Sequence, residues 1–185
     1  MEAVRNDRHY TYADYANWDD GVRYELIDGM AYMMSPAPSR AHQEIIGELH
    51  LQLRQFLKGK QCKVYLSPFD VRLNADENDD IVVQPDLIIV CDKSKLDKNG
   101  CNGAPDMAIE VISPSSSRMD KLLKMQKYLK YGVREYWIVD PDSKTVQAFI
   151  LDNGNYIVNA YADTEAAPIR VLEGCVINLP DVFAE

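Results

Sequence analysis

Two acidic residues stand inside short apolar segments of this sequence. Asp86 lies within residues 82–90 and Glu110 within residues 107–112, and both segments are rich in β-branched residues and bounded by turn-forming residues. This pattern predicts two buried β-strands. If the strands are neighbours, the carboxylates lie about 5 Å apart and repel by roughly 3 kcal/mol at an effective dielectric constant of 20. We therefore expect a proton on one carboxylate or a cation between them, for which Mg²⁺ (or Mn²⁺) is suited.

The size and composition of the chain predict one globular domain over residues 1–185. Hydrophobic residues make up 46% of the chain and charged residues 26%, as in ordinary soluble proteins. No apolar run approaches the roughly 20 residues that span a bilayer, so we expect no membrane segment. Charged residues from Glu2 to Arg8 precede any hydrophobic stretch. This start does not resemble a secretory signal, so we expect a cytoplasmic protein.

The cysteines predict neither a zinc site nor a disulfide. Cys62, Cys91, Cys101 and Cys175 form no CxxC pair, and no histidine accompanies them in the sequence. Zinc sites usually show such spacing, so we expect no zinc. Reduced thiols are the usual state in a reducing compartment.

The net charge of −9 argues against non-specific binding of nucleic acid, which depends on clustered lysine and arginine. A local basic surface would have to compensate. The segment over residues 118–130 provides one, because it carries five cations against the single anion Asp120.

The order of predicted elements indicates an α/β fold. Before the first acidic strand we predict a helix over 11–18, a hairpin of strands 23–27 and 30–34 turning at Asp28-Gly29, a helix from 40 to about 57 capped by Ser39, and a strand over 62–73. After the second acidic strand we predict a helix over 118–130 that Ser117 and Asp120 cap and that ends near Gly132, a strand over 135–141, a hairpin of strands 145–151 and 156–161 around Asn153-Gly154, and a strand over 175–179. The core order is therefore αβββαβ, with an N-terminal helix and hairpin and C-terminal strands.

This order, with one acid on the second core strand and another on the third, resembles the restriction-endonuclease-like fold and its PD-(D/E)XK nuclease motif. The chain resembles more narrowly the Uma-two family of restriction-endonuclease-like proteins, over roughly residues 11–183. The motifs that carry this resemblance are Tyr24-Glu25-Leu26-Ile27-Asp28-Gly29, Met34-Ser35-Pro36-Ala37-Pro38-Ser39 with His42, Pro85-Asp86, Glu110-Val111-Ile112-Ser113-Pro114-Ser115 and Gly132-Val133-Arg134-Glu135-Tyr136-Trp137-Ile138-Val139-Asp140-Pro141. The resemblance implies a central mixed sheet flanked by helices.

The resemblance also implies that Asp86 and Glu110 hold Mg²⁺ or Mn²⁺, which polarises a scissile phosphate and activates water. The motif's lysine position after Glu110 is Ile112, which is apolar. The family places a lysine on the following helix, so we assign that role to Lys124 before Lys121. The alternative is a solvated basic helix face. If Lys124 serves the site, Lys124→Ala should abolish cleavage without unfolding the protein.

Three further residues are candidates for the site, each with an alternative. Glu25 could complete the metal or water shell, as the resemblance implies, or occupy an exposed strand position. His42 could contact a phosphate or orient a carboxylate, or lie on the helix surface. Gln84 shares a strand face with Asp86 and could position water or metal, or be a satisfied buried amide. Asp86 itself could instead form an Asx-turn or a buried ion pair, for example with Arg72, and Glu110 has a similar structural alternative.

The resulting hypothesis is a Mg²⁺-dependent endonuclease that hydrolyses DNA phosphodiester bonds. One alternative is a non-catalytic binding or scaffold module that retains the nuclease fold, and the net charge of −9 favours it. Another alternative is a hydrolase of small phosphoesters. Strand edges in the C-terminal hairpin and in residues 176–183 make a homodimer an expectation as well.

Overall fold

A computed structural model describes residues 3–5, 8–34, 37–75, 77–112 and 118–184. Its helices are α1 (Tyr12–Tyr15), α2 (Arg40–Leu57), α3 (Arg118–Tyr131) and α4 (Leu179–Val182). Its strands are β1 (Ala3–Arg5), β2 (Tyr24–Ile27), β3 (Met30–Met33), β4 (Lys63–Leu66), β5 (Asp70–Arg72), β6 (Val82–Val83), β7 (Leu87–Val90), β8 (Gly100–Asn102), β9 (Met107–Val111), β10 (Glu135–Asp140), β11 (Thr145–Asp152), β12 (Asn155–Ala162), β13 (Ala166–Pro168) and β14 (Val176–Asn178). Within the described residues, no helix has the length and hydrophobicity that a membrane span requires.

The first long helix, α2, begins and ends where its local signals predict. The Ser39 hydroxyl accepts a hydrogen bond from the His42 amide at 3.3 Å, which caps the first turn. Apolar residues at helical spacing face the core and are buried, among them Leu49 and Leu53. Gly59 follows the helix end with a φ of +79°, which glycine adopts without strain.

The strands described form two larger sheets and one small one. In the first sheet the order is β1-β3-β2-β6-β5-β8, and in the second it is β12-β11-β10-β9-β7-β4. Strands β9 and β10 are parallel, whereas β10 and β11 are antiparallel, so the second sheet is mixed, as predicted. Strands β13 and β14 pair separately. The core order αβββαβ corresponds to α2, β4, β7, β9, α3 and β10.

Two predicted strands are each divided between the two sheets. The strand predicted over 62–73 is β4 in the second sheet and β5 in the first, and the strand predicted over 82–90 is β6 in the first and β7 in the second. Pro68 and Pro85 lie at the breaks. Proline has no amide hydrogen for the ladder, so the chain leaves one sheet there and joins the other. Asp86 consequently lies at this crossing, immediately before β7, and not inside a strand.

Several short elements differ from the predicted ones. Strands β1, β8 and β13 were not predicted, because three-residue strands carry too little alternation to be recognised. The C-terminal strand predicted over 175–179 is shorter, and helix α4 begins at Leu179. The predicted cap Ser117 and the side chains of Asp120 and Lys121 lie outside the part of the chain that is described.

The two faces of the second sheet are covered by different elements. Ile109 and Val111 on β9 belong to the apolar cluster that also contains the buried apolar residues of α2. Ala108, which alternates with them, belongs to a second cluster with Tyr128 of α3 and with residues of the first sheet. Side chains alternate along a strand, so Glu110 points to the side of α3.

The expectation of reduced thiols is wrong for two of the four cysteines. Cys62 and Cys91 form a disulfide. They continue the antiparallel register of β4 and β7 by one residue beyond the pair of Lys63 with Val90, which places them opposite each other. Cys101 and Cys175 are free and buried.

Candidate active site

The two acids that the sequence singles out are neighbours in the structure. Strands β7 and β9 are antiparallel, and Leu87 is paired with Ile109. Continuing that register by one residue places Asp86 opposite Glu110. The Val111 amide donates a hydrogen bond to Asp86 Oδ2 at 2.8 Å, which fixes the first acid against the strand of the second. The alternative ion pair between Asp86 and Arg72 is wrong, because Arg72 is paired with Asp79.

A lysine from α3 lies between two carboxylates at this point. Lys124 Nζ is 2.8 Å from Glu25 Oε1 and 2.9 Å from Glu110 Oε1. Its side chain is only 12% exposed, so it is not part of a solvated helix face. Ile112, on the strand side where the motif has its lysine, contacts the apolar cluster instead. The structure therefore brings a lysine to Glu110 from the helix and not from the strand.

Glu25 is buried and not at an exposed strand position. Its side chain is 1% exposed, and Oε1 accepts a hydrogen bond from the Gln84 amide at 2.8 Å besides its contact with Lys124. Glu25 comes from β2 of the first sheet, whereas Glu110 comes from the second. Lys124 thus joins the two sheets through their carboxylates.

The side chain of Gln84 takes part in a different network. Its Nε2 donates to Asp70 Oδ1 at 2.8 Å and to the Tyr15 hydroxyl at 3.0 Å, and its Oε1 accepts from Arg23. Burial raises the pKa of Asp70, although the hydrogen bonds that Gln84 and the Tyr15 hydroxyl donate to its carboxylate act in the opposite direction. Gln84 is therefore a satisfied buried amide, as its alternative predicted, and its backbone amide is the part that contacts the Glu25 carboxylate.

His42 contacts the first acid from the beginning of α2. Its Nε2 is 3.3 Å from Asp86 Oδ2, and its side chain is 11% exposed, so it does not lie on the helix surface. Burial lowers the pKa of His42, but the hydrogen bond and the charge of Asp86 outweigh this effect and raise the pKa overall. Its Nδ1 is buried without a hydrogen-bond partner among the residues described. His42 is placed to orient Asp86.

Tyr128 also contacts the second acid, although the sequence pattern alone assigns it no role. Its hydroxyl donates to Glu110 Oε1 at 3.1 Å, and the residue is fully buried. The available signal is its spacing, because Tyr128 follows Lys124 by one helical turn and shares its face of α3. Glu110 Oε1 therefore accepts hydrogen bonds from both the Tyr128 hydroxyl and the Lys124 ammonium group.

The balance of charge at this site is negative. Glu25, Asp86 and Glu110 contribute three carboxylates, whereas Lys124 contributes one ammonium group and His42, when it is protonated, a second positive charge. Burial raises the pKa of Glu110 to about 7, with the charges of Asp86 and Glu25 adding to the effect and that of Lys124 opposing it. Burial lowers the pKa of Lys124, but the charges of Glu110 and Glu25 outweigh this effect and raise it overall. A further cation at this site would therefore be stabilised.

The donor atoms of the site fit a hard divalent cation such as Mg²⁺. Asp86 and Glu110 keep 19% and 16% of their side-chain surface exposed, unlike Glu25. The hydrogen bonds and ion pairs of Asp86 described above involve Oδ2, and those of Glu110 involve Oε1. The described residues include no group of three or more His, Cys, Asp or Glu side chains arranged around one metal position. Mg²⁺ commonly takes only one or two carboxylates, together with water and substrate phosphate.

The raised pKa of Glu110 predicts a pH dependence of stability. A carboxyl group with a pKa of about 7 in the folded protein and about 4.3 in the unfolded chain binds more protons when folded. The free energy of unfolding should therefore fall as the pH rises from about 4.5 to 7. Urea unfolding of the wild type and of Glu110→Gln across this range measures the effect. The free energy of unfolding of the wild type should fall relative to that of Glu110→Gln as the pH rises, and parallel curves would contradict the prediction.

Comparison with known proteins agrees with the fold and the motifs. A family model described as Uma2, "Putative restriction endonuclease", matches residues 12–180. The chain is similar to a solved structure described as a putative nuclease belonging to DUF820 from Anabaena variabilis ATCC 29413, with a TM-score of 0.76, 20% identity, and coverage of 94% of this chain and 97% of that one. A relative from Synechocystis sp. (strain ATCC 27184 / PCC 6803 / Kazusa), described as "Uncharacterized protein slr1290", is 22% identical over 161 residues, covering 85% of this chain and 83% of the relative.

Proposed function

The chain belongs to the Uma2 family of restriction-endonuclease-like proteins, and on that premise we propose that it is a metal-dependent endonuclease that hydrolyses DNA phosphodiester bonds. The observation that carries this proposal is the convergence of Asp86, Glu110 and Lys124 at one partly exposed point, where the sheet strands and α3 meet. A purely structural ion pair would need one carboxylate for the lysine. Glu25 and Glu110 both contact the lysine, and the carboxylate of Asp86 adds its charge to that of Glu110, so negative charge remains that a divalent cation offsets.

Each side chain has a task in this proposal. Asp86 and Glu110 hold the metal ion, and Lys124 stabilises the negative charge that develops on the phosphate in the transition state. A bound Mg²⁺ would polarise the scissile phosphate and lower the pKa of a water molecule. Glu25 holds the Lys124 ammonium group in place, and His42 holds the Asp86 carboxylate.

A second candidate function is a non-catalytic binding or scaffold module that retains this fold. The observation that favours it is the short contact of Lys124 with both Glu25 and Glu110, which satisfies the lysine without any ligand. In that case the acidic residues would serve to join the two sheets, and the protein would bind no divalent cation.

A panel of substrates distinguishes these functions. The purified chain would be incubated at low salt with supercoiled plasmid, single-stranded DNA, RNA and a small phosphodiester, each with Mg²⁺, Mn²⁺ or EDTA. The proposal predicts cleavage of DNA with either metal and none with EDTA. Hydrolysis of the small phosphodiester without cleavage of DNA would indicate a hydrolase of small phosphoesters. No hydrolysis of any substrate would support the scaffold module.

The hydroxyl group of Tyr128 should matter for activity. Tyr128→Phe removes the hydrogen bond to Glu110 Oε1 and leaves the ring in place. Outer-shell partners of metal ligands typically contribute about 10- to 100-fold to metal affinity or activity. We expect kcat to fall and the Kd for Mn²⁺ to rise within that range. Tyr131→Phe, on the same helix, is the control, and an equal effect of both variants would contradict a specific role for Tyr128.

A further inference from the structure

The basic helix predicted to attract nucleic acid has two of its cations neutralised. Lys124 contacts Glu25 and Glu110, and Lys127 forms an ion pair with Asp28. A chain with a net charge of −9 that binds phosphates needs cations that no carboxylate already neutralises. A surface that binds phosphates must therefore include cations other than Lys124 and Lys127.

Such cations lie at the end of α2 and the beginning of β4. Between residues 51 and 69 the sequence contains no Asp or Glu, but it contains Arg54, Lys58, Lys60 and Lys63, which we name the α2–β4 cluster. Arg54, Lys58 and Lys60 are exposed, and Lys63 is partly so. Within the described part of the chain, the ion pairs of arginine and lysine involve other residues.

Three members of the cluster line one cavity. Arg54, Lys58 and Lys63 surround an open space of about 420 Å³, and its other lining residues are uncharged. The dipole of α2 favours a cation in its last turn, which accounts for Arg54. It does not account for Lys63, which lies beyond the helix on β4. A concave surface with three positive charges and no negative one fits a phosphate group.

The cluster and the candidate active site lie at opposite ends of the same helix. His42 is in the first turn of α2 and Lys58 caps its end, a separation of about 24 Å at 1.5 Å per residue. Phosphates of one DNA strand are about 3.4 Å apart along the axis, so this distance corresponds to roughly seven nucleotides. We infer that the α2–β4 cluster binds the phosphate backbone of a nucleic acid about that far from the scissile bond. The inference rests on the proposed function for the nature of the substrate.

The salt dependence of DNA binding tests this inference. Binding of the full chain to a fluorescent 30-base-pair duplex would be measured in EDTA, which prevents metal-dependent cleavage, over a range of salt concentrations. Each phosphate contact adds about −0.9 to the slope of log K against log salt. The variant Arg54→Gln/Lys58→Gln/Lys63→Gln should therefore have a slope less steep by about 2.7. In the double variant Arg54→Gln/Lys58→Gln only exposed side chains change, and its slope should be less steep than that of the wild type by about 1.8.

A matched control separates a local contact from net charge. Lys93→Gln/Lys98→Gln/Arg170→Gln removes the same charge from exposed positions outside the cluster, and its slope should equal that of the wild type. Equal slopes for all variants, equal losses in cluster and control variants, or no DNA binding by the wild type would overturn the inference. So would a loss of self-association in the cluster variant with unchanged DNA affinity, since the cluster would then bind a second copy of the chain.

The outcomes also separate this inference from the proposed function. A reduced slope in the cluster variant, together with no cleavage by the wild type, would support the phosphate site and contradict the nuclease. Cleavage by the wild type, with an unchanged slope in the cluster variant, would support the nuclease and overturn the phosphate site.

Discussion

Replacing Glu110 by glutamine, or Asp86 by asparagine, is expected to lower the rate of DNA cleavage by more than about 100-fold. Mutation of an outer-shell partner of a metal ligand lowers metal affinity or activity by at most about 100-fold. Loss of a direct metal ligand should lower activity by more. Both substitutions keep the shape of the side chain and remove its charge. Plasmid cleavage at saturating Mg²⁺ measures the effect, and circular dichroism checks that each variant is folded.

Glu110→Gln should also separate activity from stability. Burial raises the pKa of the Glu110 carboxyl group, so its ionised form is unfavourable at pH 8 and its removal should not unfold the protein. Glu44→Gln is the matched control, because Glu44 is exposed on α2 and its carboxylate pairs with the exposed Arg40. Wild-type activity in a folded Asp86→Asn variant would contradict the assignment of that ligand.

Lys124→Met is expected to lower the free energy of unfolding by about 3 to 5 kcal/mol near pH 8. Removing one partner of a buried ion pair leaves the other charge unpaired, and such changes cost about this much. The sequence alone predicts that Lys124 can be replaced without unfolding the protein. The contacts of Lys124 with Glu25 and Glu110 predict a loss of stability instead. Urea unfolding measures the loss, and activity should be lost in the fraction that remains folded.

Two further variants identify the cause of that loss. Lys127→Met, one turn later on α3, removes a pair with the half-exposed Asp28, and surface pairs contribute at most about 1 kcal/mol. Lys124→Met/Glu110→Gln should recover part of the stability, because one of the two unpaired carboxylates is gone. A loss of equal size in Lys127→Met, or no recovery in the double variant, would contradict the buried ion pair as the cause.

Local signals in the sequence predicted the elements that depend on neighbouring residues. Helix α2 begins after Ser39 and ends at Leu57 as expected, because its cap, its apolar spacing and its terminal glycine all act within a few residues. The acids of the site are recognisable in the sequence because a carboxylate inside an apolar segment is unusual. The two acids lie side by side because β7 pairs with β9.

Contacts between distant parts of the chain could not be read in the same way. The sequence does not show that Pro68 and Pro85 mark crossings between two sheets, and a continuous strand is the simpler interpretation of each segment. The position of Glu25 against Lys124 depends on how the first sheet packs over α3, which no local pattern specifies. The contact of Tyr128 with Glu110 depends on tertiary packing too, although the spacing of Tyr128 from Lys124 is visible in the sequence.

The binding of Mn²⁺ tests the central claim most directly, because it needs no assumption about the substrate. Thermal unfolding and calorimetric titration would compare the wild type with Asp86→Asn/Glu110→Gln at pH 8. A ligand that binds only the folded state stabilises it by about 2.7 kcal/mol at 100 times its Kd. We expect Mn²⁺ to bind the wild type and to raise its Tm, and we expect neither binding nor a rise of Tm in the variant. Equal stabilisation of both proteins, or of neither, would contradict a metal site at Asp86 and Glu110.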